Sequence, residues 1–328
     1  MAGRFSGPRR ASWRRTWYFA QPMTETIVRV AVTLGDPAGI GPEVTEAAVR
    51  ALDREGIEIH LYGPSEITNS MSHRVGAQAH PQVHFNGPRG EPSAASGKAA
   101  LAALYAAIED AKVGGVDALV TAPLSKEALA MAGCKDRGHT WILARELGDG
   151  PVAMAFLGDR LRVVLATDHI PLRQVLDDTS PERILEVAQL LSRAISNWTN
   201  NRPRLALAAL NPHAGEAGLM GTEERELLQP AIDAAKSRNI DLQGPFPADT
   251  LFRRALDGEF DGVVALYHDQ ALIPVKLLGL GASVNVTLGL RVPRTSPDHG
   301  TAYDRVARDD INAAGMLAAL RMAIRLAR

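Results

Sequence analysis

The stretch IVRVAVTLGDPAGIGPEVTEAAVRALDREG, residues 27–56, passes from a β-branched apolar run through a glycine-rich loop into a helical pattern. IVRVAVTLG predicts a strand, and GPEVTEAAVRALDREG predicts the helix that follows it. The loop within TLGDPAGIGPEV, residues 33–44, lacks the terminal G-K-[ST] of a P-loop and is not a G-x-G-x-x-G fingerprint. Its glycines therefore indicate only a tight turn or a close approach of the backbone.

The same alternation of strand and helix continues along the chain. Strands joined by long helical crossovers form a largely parallel sheet with helices on both faces, so the predicted fold class is α/β. The further predicted strands are VDALVTAP, LRVVLAT, RLALAAL, GVVALY and SVNVTLGL.

Composition limits the class of protein. With 328 residues, 46% of them hydrophobic, the chain can form two domains or one large α/β unit. Its 36 basic and 37 acidic side chains give a net charge of -1, which favours neither nucleic acid nor an anionic membrane as partner. A single cysteine, Cys134, fits a reducing cytoplasm. We expect no membrane span, because no apolar run approaches about 18–20 residues.

The first residues, 1–22, differ from the rest of the chain. They contain several arginines, no acidic residue and no amphipathic period. This composition predicts a disordered tail. A transit peptide and a translation start set too early, with Met23 as the true start, explain the segment equally well.

Three of the nine histidines follow predicted strands. His169 follows LRVVLATD, His213 follows RLALAALNP and His268 follows GVVALY. Ligands of open α/β sheets collect at the carboxyl ends of strands, where three imidazoles can hold a divalent ion and leave positions open for water or substrate. The alternative is that each histidine only caps a loop, and spacing alone does not decide between the two. Carboxylates that could orient the rings lie close in sequence: Asp168, Glu216 and Asp269.

A second set of polar residues comes from distant segments. Such a set, placed before predicted helices, suits a phosphate bound by charge and by amide N–H groups together; a solvated loop surface is the alternative. Its main members are His139, Thr140, Lys276, Asn285 and Arg294. In TAPLSKEAL, residues 121–129, Ser125 and Lys126 lie at the tip of another corner, where a helix N-cap is enough to explain Ser125.

From about Val30 to its end, the chain resembles the 4-hydroxythreonine-4-phosphate dehydrogenase family. The motifs that carry the resemblance are, in order, GDPAGIGPEV, TAPLSKEAL, GHT, HIPL, NPHAGEAG, GPFPADT, YHDQALIPVK, VNVTLGL and RTSPDHGTA. The resemblance implies a fold similar to that of isocitrate and isopropylmalate dehydrogenases, with two α/β/α domains and the active site in the cleft between them. Residues 23–137 and 303–328 would form the first domain, and 138–302 the second, which carries the metal ligands.

The resemblance also implies an activity. The family oxidises 4-hydroxythreonine 4-phosphate at C3 with NAD or NADP and releases CO₂, giving 3-amino-2-oxopropyl phosphate for pyridoxal phosphate biosynthesis in the cytoplasm. It implies that His169, His213 and His268 bind one divalent ion, zinc, magnesium or cobalt, shared between the subunits of a homodimer. The expected substrate residues are His139, Thr140, Lys276, Asn285 and Arg294, and the candidates for the proton relay are Lys276 and Asp249.

Two positions depart from the pattern expected of the family. Trp141 follows GHT where an acidic residue is common, and Asp168 precedes HIPL where a hydroxyl residue is more usual. Related branches oxidise threonate-type phosphorylated acids or aromatic cis-dihydrodiols, and the second branch would not need a phosphate site. From other classes, a metal-dependent phosphohydrolase would need no nicotinamide, and a phosphometabolite-binding module would bind without turnover.

Overall fold

The structure, a computed structural model, describes residues 27–136, 138–279, 283–306, 308 and 311–328. The predicted tail at 1–22 lies outside these residues. Within the described part of the chain, no helix combines the length and the apolar character needed to cross a membrane.

Among the described residues, all strands belong to one eleven-stranded sheet. Their order across the sheet is β3-β2-β1-β4-β11-β10-β5-β6-β9-β7-β8. The strands are β1 Val28–Thr33, β2 Ile57–Pro64, β3 Gln78–Gln82, β4 Ala118–Thr121, β5 Gly148–Leu157, β6 Arg162–Leu165, β7 Arg204–Ala208, β8 Asp241–Phe246, β9 Gly262–Ala265, β10 Val284–Leu290 and β11 Arg294–Ser296.

The sheet has two parallel lobes that run in opposite directions. β1, β2, β3, β4 and β11 pair in parallel, as do β6, β9, β7 and β8. Between them, β10 is antiparallel to β11 and β5, and β5 is antiparallel to β6. The predicted parallel sheet is therefore correct for each lobe but not for the centre. There, the short connections 158–161 and 291–293 are too brief for a parallel crossover.

Helices cover both faces of the sheet, as the sequence predicts. The helices are α1 Gly41–Ala51, α2 Ser65–Val75, α3 Ala94–Lys112, α4 Lys126–Met131, α5 His139–Leu147, α6 Val175–Asp178, α7 Pro181–Thr199, α8 Gln229–Ser237, α9 Ala248–Leu256, α10 His268–Leu277 and α11 Ala314–Ala327. One large apolar core packs α1, α2, α7, α8 and α11 against the first face. On the other face, α3 and α5 cover the first lobe, while α9 and α10 cover the second. The α/β fold class is confirmed.

Local sequence explains where the helices near the site begin. The hydroxyl of Ser125 accepts a hydrogen bond from the Ala128 N–H at 3.2 Å, so α4 begins at Lys126 with the predicted N-cap. Pro42 lies in the first turn of α1, where its missing N–H costs no hydrogen bond. Gly35 has φ +68°, and a Cβ there would overlap the carbonyl of Pro123, which explains a glycine in the first loop.

Candidate active site

Two of the three strand-end histidines lie close together, with their rings tilted by 45° to each other. The ring centres of His169, after β6, and His268, at the start of α10, are 5.2 Å apart. Nδ1 of His268 lies 2.7 Å from Oδ1 of Asp269, and since a carboxylate only accepts, this ring nitrogen is the donor. In the neutral tautomer with this donor, Nε2 of His268 is the nitrogen that carries the lone pair. Both rings line a cavity of about 410 Å³.

This pair of histidines fits a divalent metal ion. Two imidazoles bound to one tetrahedral ion at about 2.0–2.1 Å would have ring centres about 5 Å apart, close to the observed separation. Burial, the charge of His268 and the charge of Lys126 lower the pKa of His169, while Asp168 raises it. A low pKa favours the neutral imidazole, which is the form that binds metals.

The third histidine, His213, is set apart from the other two. It follows β7, next to β9 in the sheet, and lies on an exposed turn. Residues 213–217 of this turn all have positive φ, including His213 at 53°, a conformation that costs about 1–2 kcal/mol per non-glycine residue. Within the described residues, no three His, Cys, Asp or Glu side chains come together as a metal site. The three-histidine ligand set stays a prediction.

Arg294 is a buried cation. It is 3% exposed and pairs across the sheet with Thr287 on β10 and Leu119 on β4. Its guanidinium donates to the hydroxyl of Thr121 from Nε at 3.1 Å and from a terminal nitrogen at 2.6 Å. It also donates to the hydroxyl of Thr287 at 3.2 Å. In the described part of the chain it has no carboxylate partner, and burial lowers its pKa to about 10.

His139 and Thr140 form the first turn of α5. Gly138, the N-cap, has φ 129°, and no described side chain caps this end, so its amide N–H groups remain available. Burial lowers the pKa of His139 well below its ordinary range, and the charge of Arg294 lowers it further. His139 is thus neutral at physiological pH and lies within the field of Arg294.

Asn285 lies on the same face of the sheet as Arg294. Thr287 pairs directly with Arg294, and Asn285 is two residues away on β10, so both side chains point to one face. The Oδ1 atom of Asn285 is buried and has no hydrogen-bond partner among the described residues. An unpaired buried acceptor of this kind suits a ligand donor.

Lys276 and Asp249 are separated from this group. Lys276 is 56% exposed in its side chain, and its Nζ donates to Asp298 at 2.9 Å. It lies eight residues along α10 from His268, or roughly 12 Å along the helix axis. Asp249 is exposed in the first turn of α9, and it makes no hydrogen bond to another candidate residue within the described ranges. The roles predicted for both residues remain predictions.

The structure adds one residue that sequence reasoning left without a role. Cε of Lys126 lies 3.7 Å from the position that a Cβ on Gly138 would occupy. Lys126 is also close enough to His169 for its charge to act on that ring. The motif TAPLSKEAL had indicated a lysine at a loop tip, but the contact of that tip with residues 138 and 169 depends on the tertiary fold.

The two departures from the expected pattern have different surroundings. Oδ1 of Asp168 accepts the backbone N–H of His169 at 2.5 Å, and its charge partly offsets the lowering of the His169 pKa. Trp141 is 62% exposed in the first turn of α5. Its ring therefore lies largely in solvent and does not fill a pocket within the described part of the chain.

Comparison with known proteins places the chain in one family. Residues 32–323 match the family described as pyridoxal phosphate biosynthetic protein PdxA. A 4-hydroxythreonine-4-phosphate dehydrogenase of Geobacter metallireducens is 39% identical over 330 residues, which cover 93% of this chain and 97% of the relative. A protein of Oceanobacillus iheyensis, provisionally assigned as a D-threonate 4-phosphate dehydrogenase, is 38% identical, and the match covers 91% of this chain and 97% of that protein.

Solved structures agree with this similarity. A 4-hydroxythreonine-4-phosphate dehydrogenase of Klebsiella pneumoniae superposes with a TM-score of 0.80 at 35% identity, over 92% of this chain and 100% of that one. A β-decarboxylating dehydrogenase of Thermococcus kodakarensis shares the fold only. It is 15% identical and superposes with a TM-score of 0.50 over 90% of this chain and 82% of that one. The predicted relation to the decarboxylating dehydrogenase fold is confirmed.

Proposed function

The chain belongs to the PdxA family of pyridoxal phosphate biosynthetic proteins, and we propose that it is a cytoplasmic dehydrogenase of 4-hydroxythreonine 4-phosphate. In this reaction, oxidation at C3 is followed by loss of CO₂, giving 3-amino-2-oxopropyl phosphate. The buried guanidinium of Arg294 carries the proposal, because a buried charge that lacks a carboxylate partner in the described chain favours an anionic ligand.

The residues around Arg294 would hold and orient the substrate. The uncapped N-terminus of α5 offers amide N–H groups to an anion, and Thr140 adds a hydroxyl donor. His139, held neutral, can donate one hydrogen bond and accept another. The unpaired Oδ1 of Asn285 would accept from a hydroxyl or ammonium group of the substrate.

His169 and His268, together with His213, would hold one divalent ion; zinc and cobalt suit imidazole ligands, and magnesium is the weaker match. When bound, the ion supplies Lewis acidity toward the C3 hydroxyl, and NAD or NADP supplies the hydride acceptor. Asp269 keeps His268 in the tautomer whose Nε2 is free. Lys276 and Asp249 remain the candidates for moving the proton.

A cavity of about 510 Å³ beside Lys276 suits the cofactor. Ile40, Val275 and Ala302 give it apolar walls, and Ser283 and Asn312 add polar groups. Its volume is within the usual range for small-molecule sites and would accept the adenosine part of a dinucleotide. Nicotinamide would then extend from Lys276 toward the histidines.

A homodimer would explain the exposed apolar side chains near the three histidines. Leu172 is 69% exposed after His169, Ile273 and Leu277 are 61% and 82% exposed on α10, and Leu219 is 84% exposed after His213. Large exposed apolar side chains are typical of a protein–protein interface when they form one contiguous patch. A second copy covering them would bring His213 of the partner subunit toward the pair formed by His169 and His268.

The proposal is tested by following absorbance of the reduced nicotinamide. The protein is mixed with 4-hydroxythreonine 4-phosphate and NAD, with and without a divalent metal, beside a His213→Ala variant. We expect reduction that requires both the metal and His213. Release of phosphate without NAD reduction would instead identify a hydrolase, and binding without turnover would identify a binding module.

One alternative substrate is favoured by a specific observation. A relative of equal similarity carries a D-threonate 4-phosphate name, and Trp141 occupies a position next to the substrate residues His139 and Thr140. Reduction of NAD with threonate 4-phosphate but not with 4-hydroxythreonine 4-phosphate would retain the mechanism and change the substrate.

A further inference from the structure

Lys126 and Arg294 are held by one short corner of the chain. The corner joins β4 to α4, and Thr121 at its start accepts two hydrogen bonds from Arg294. At its end, Ser125 caps α4 and so fixes the backbone from which the Lys126 side chain leaves. A ligand that contacts Arg294 would therefore lie close to the corner that carries Lys126.

The Lys126 side chain extends toward the other site residues. Its Cε lies 3.7 Å from where a Cβ on Gly138 would be, so the lysine passes the open N-terminus of α5. Its charge acts on His169, which belongs to the opposite lobe. Lys126 thus lies between the residues assigned to the substrate anion and those assigned to the metal.

Lys126 is exposed and has no counter-charge among the described residues, as is also true of Lys98 and Lys135, whereas three other lysines are paired. Lys112 pairs with Glu109 and Glu146, Lys236 with Asp233, and Lys276 with Asp298. Lys126 forms no hydrogen bond or ion pair with any residue in the ranges that the structure describes. Two cations without carboxylates, Lys126 and Arg294, therefore flank the start of α5.

We propose that Lys126 is a further substrate-binding residue, which holds the phosphate group of the substrate with Arg294 at the N-terminus of α5. The inference rests on the proposed function for the substrate class. It assigns the phosphate, and not the carboxylate, to this end of the site.

The charge balance favours the phosphate. Two cations and a helix N-terminus of about +0.5 charge match a phosphate monoester of about −1.5 to −2 at pH 7 better than a single carboxylate charge. A phosphate also offers three acceptor oxygens for the lysine, the guanidinium and the amide N–H groups. The rest of the substrate would then extend past Lys126 toward His169.

Binding of inorganic phosphate to the full-length protein tests the proposal directly. Isothermal titration in a phosphate-free buffer, without metal or cofactor, compares the wild type with Lys126→Met, Lys126→Arg and the control Lys236→Met. The control removes the same charge from α8, away from the site. Lys126→Met should weaken phosphate binding roughly 10- to 100-fold, as expected for loss of a charge-assisted hydrogen bond. Lys126→Arg should stay within about threefold of the wild type, and Lys236→Met should leave binding unchanged.

Unchanged phosphate affinity in folded Lys126→Met would overturn the proposal. If the affinity is unchanged and kcat falls, the lysine acts in the chemical step instead. Thermal unfolding of each variant checks that the fold is intact. The proposed function has a separate outcome. A wild type that binds phosphate through Lys126 but reduces NAD with no phosphorylated hydroxy acid would refute the dehydrogenase and leave this inference standing.

Discussion

Replacing Arg294 with methionine should separate the stability of the protein from its ability to bind an anion. Burial lowers the pKa of this guanidinium from 12.5 to about 10, which at 1.36 kcal/mol per pH unit corresponds to a cost of roughly 3 kcal/mol for the charged form. Its hydrogen bonds to Thr121 and Thr287 offset this cost by about 1 kcal/mol each. Methionine keeps much of the buried volume, so we expect the free energy of unfolding to change by only about 1 kcal/mol.

The same substitution should abolish stabilisation by phosphate. A ligand at 100 times its dissociation constant stabilises the wild type by about 2.7 kcal/mol, and Arg294→Met should lose nearly all of this. Urea unfolding with and without phosphate measures both effects. As a control, Arg162→Met removes an arginine that stacks on Trp198 and donates to the carbonyl of Asp261. This control should lower stability and leave the phosphate effect intact. Loss of 3 kcal/mol or more in Arg294→Met, with stabilisation by phosphate retained, would show that Arg294 is structural.

Three further predictions concern the metal pair, the neutral histidine and the exposed tryptophan. If His213 of the partner subunit completes the site, mixing equal amounts of the inactive variants His213→Ala and His268→Ala should recover about a quarter of wild-type activity after subunit exchange, because about half of the dimers are mixed and each mixed dimer has one complete site. No recovery would place all three histidines in one chain. Burial and Arg294 hold the pKa of His139 below 6.5 in the folded state, so the unfolded chain takes up a proton on this residue first as the pH falls. The free energy of unfolding should therefore decrease by up to about 1.4 kcal/mol per pH unit below pH 6.5. His139→Gln should flatten that part of the stability profile, and an unchanged slope would assign it to other groups. Trp141→Glu should change the free energy of unfolding by less than about 0.5 kcal/mol, since the ring is 62% exposed. It should shift the ratio of kcat/KM between 4-hydroxythreonine 4-phosphate and threonate 4-phosphate. An unchanged ratio would show that Trp141 does not select the substrate.

The alternation of strands and helices was predictable from the sequence because each element carries its own periodicity. Hydrophobic runs such as LRVVLAT mark buried strands wherever they occur, and β6 and β9 were found where the pattern indicated. The reversal between the lobes was not predictable in the same way. β11 spans only Arg294–Ser296 and is a strand because β4 and β10 lie on either side of it, which is a contact between distant segments.

The site was predicted in part for a similar reason. The positions of His169 and His268 at strand ends follow from local pattern, and the structure brings their rings together. Arg294 was one of several polar residues in a predicted loop, and its burial became visible only with Thr121 and Thr287 beside it. The left-handed turn after His213 includes Ala214, Glu216 and Ala217, residue types that do not favour positive φ, so propensity does not indicate it.

Two cations that the sequence predicts to contact the substrate, Arg294 and Lys276, differ in how they are neutralised. Arg294 has no carboxylate partner in the described chain, so it loses no ion pair when an anion binds. Lys276 is paired with Asp298 at 2.9 Å and must exchange that carboxylate for any ligand group. A largely exposed ion pair of this kind contributes at most about 1 kcal/mol, so the exchange is inexpensive. An anion would therefore bind at Arg294 without breaking an ion pair, whereas binding at Lys276 requires a change of partner.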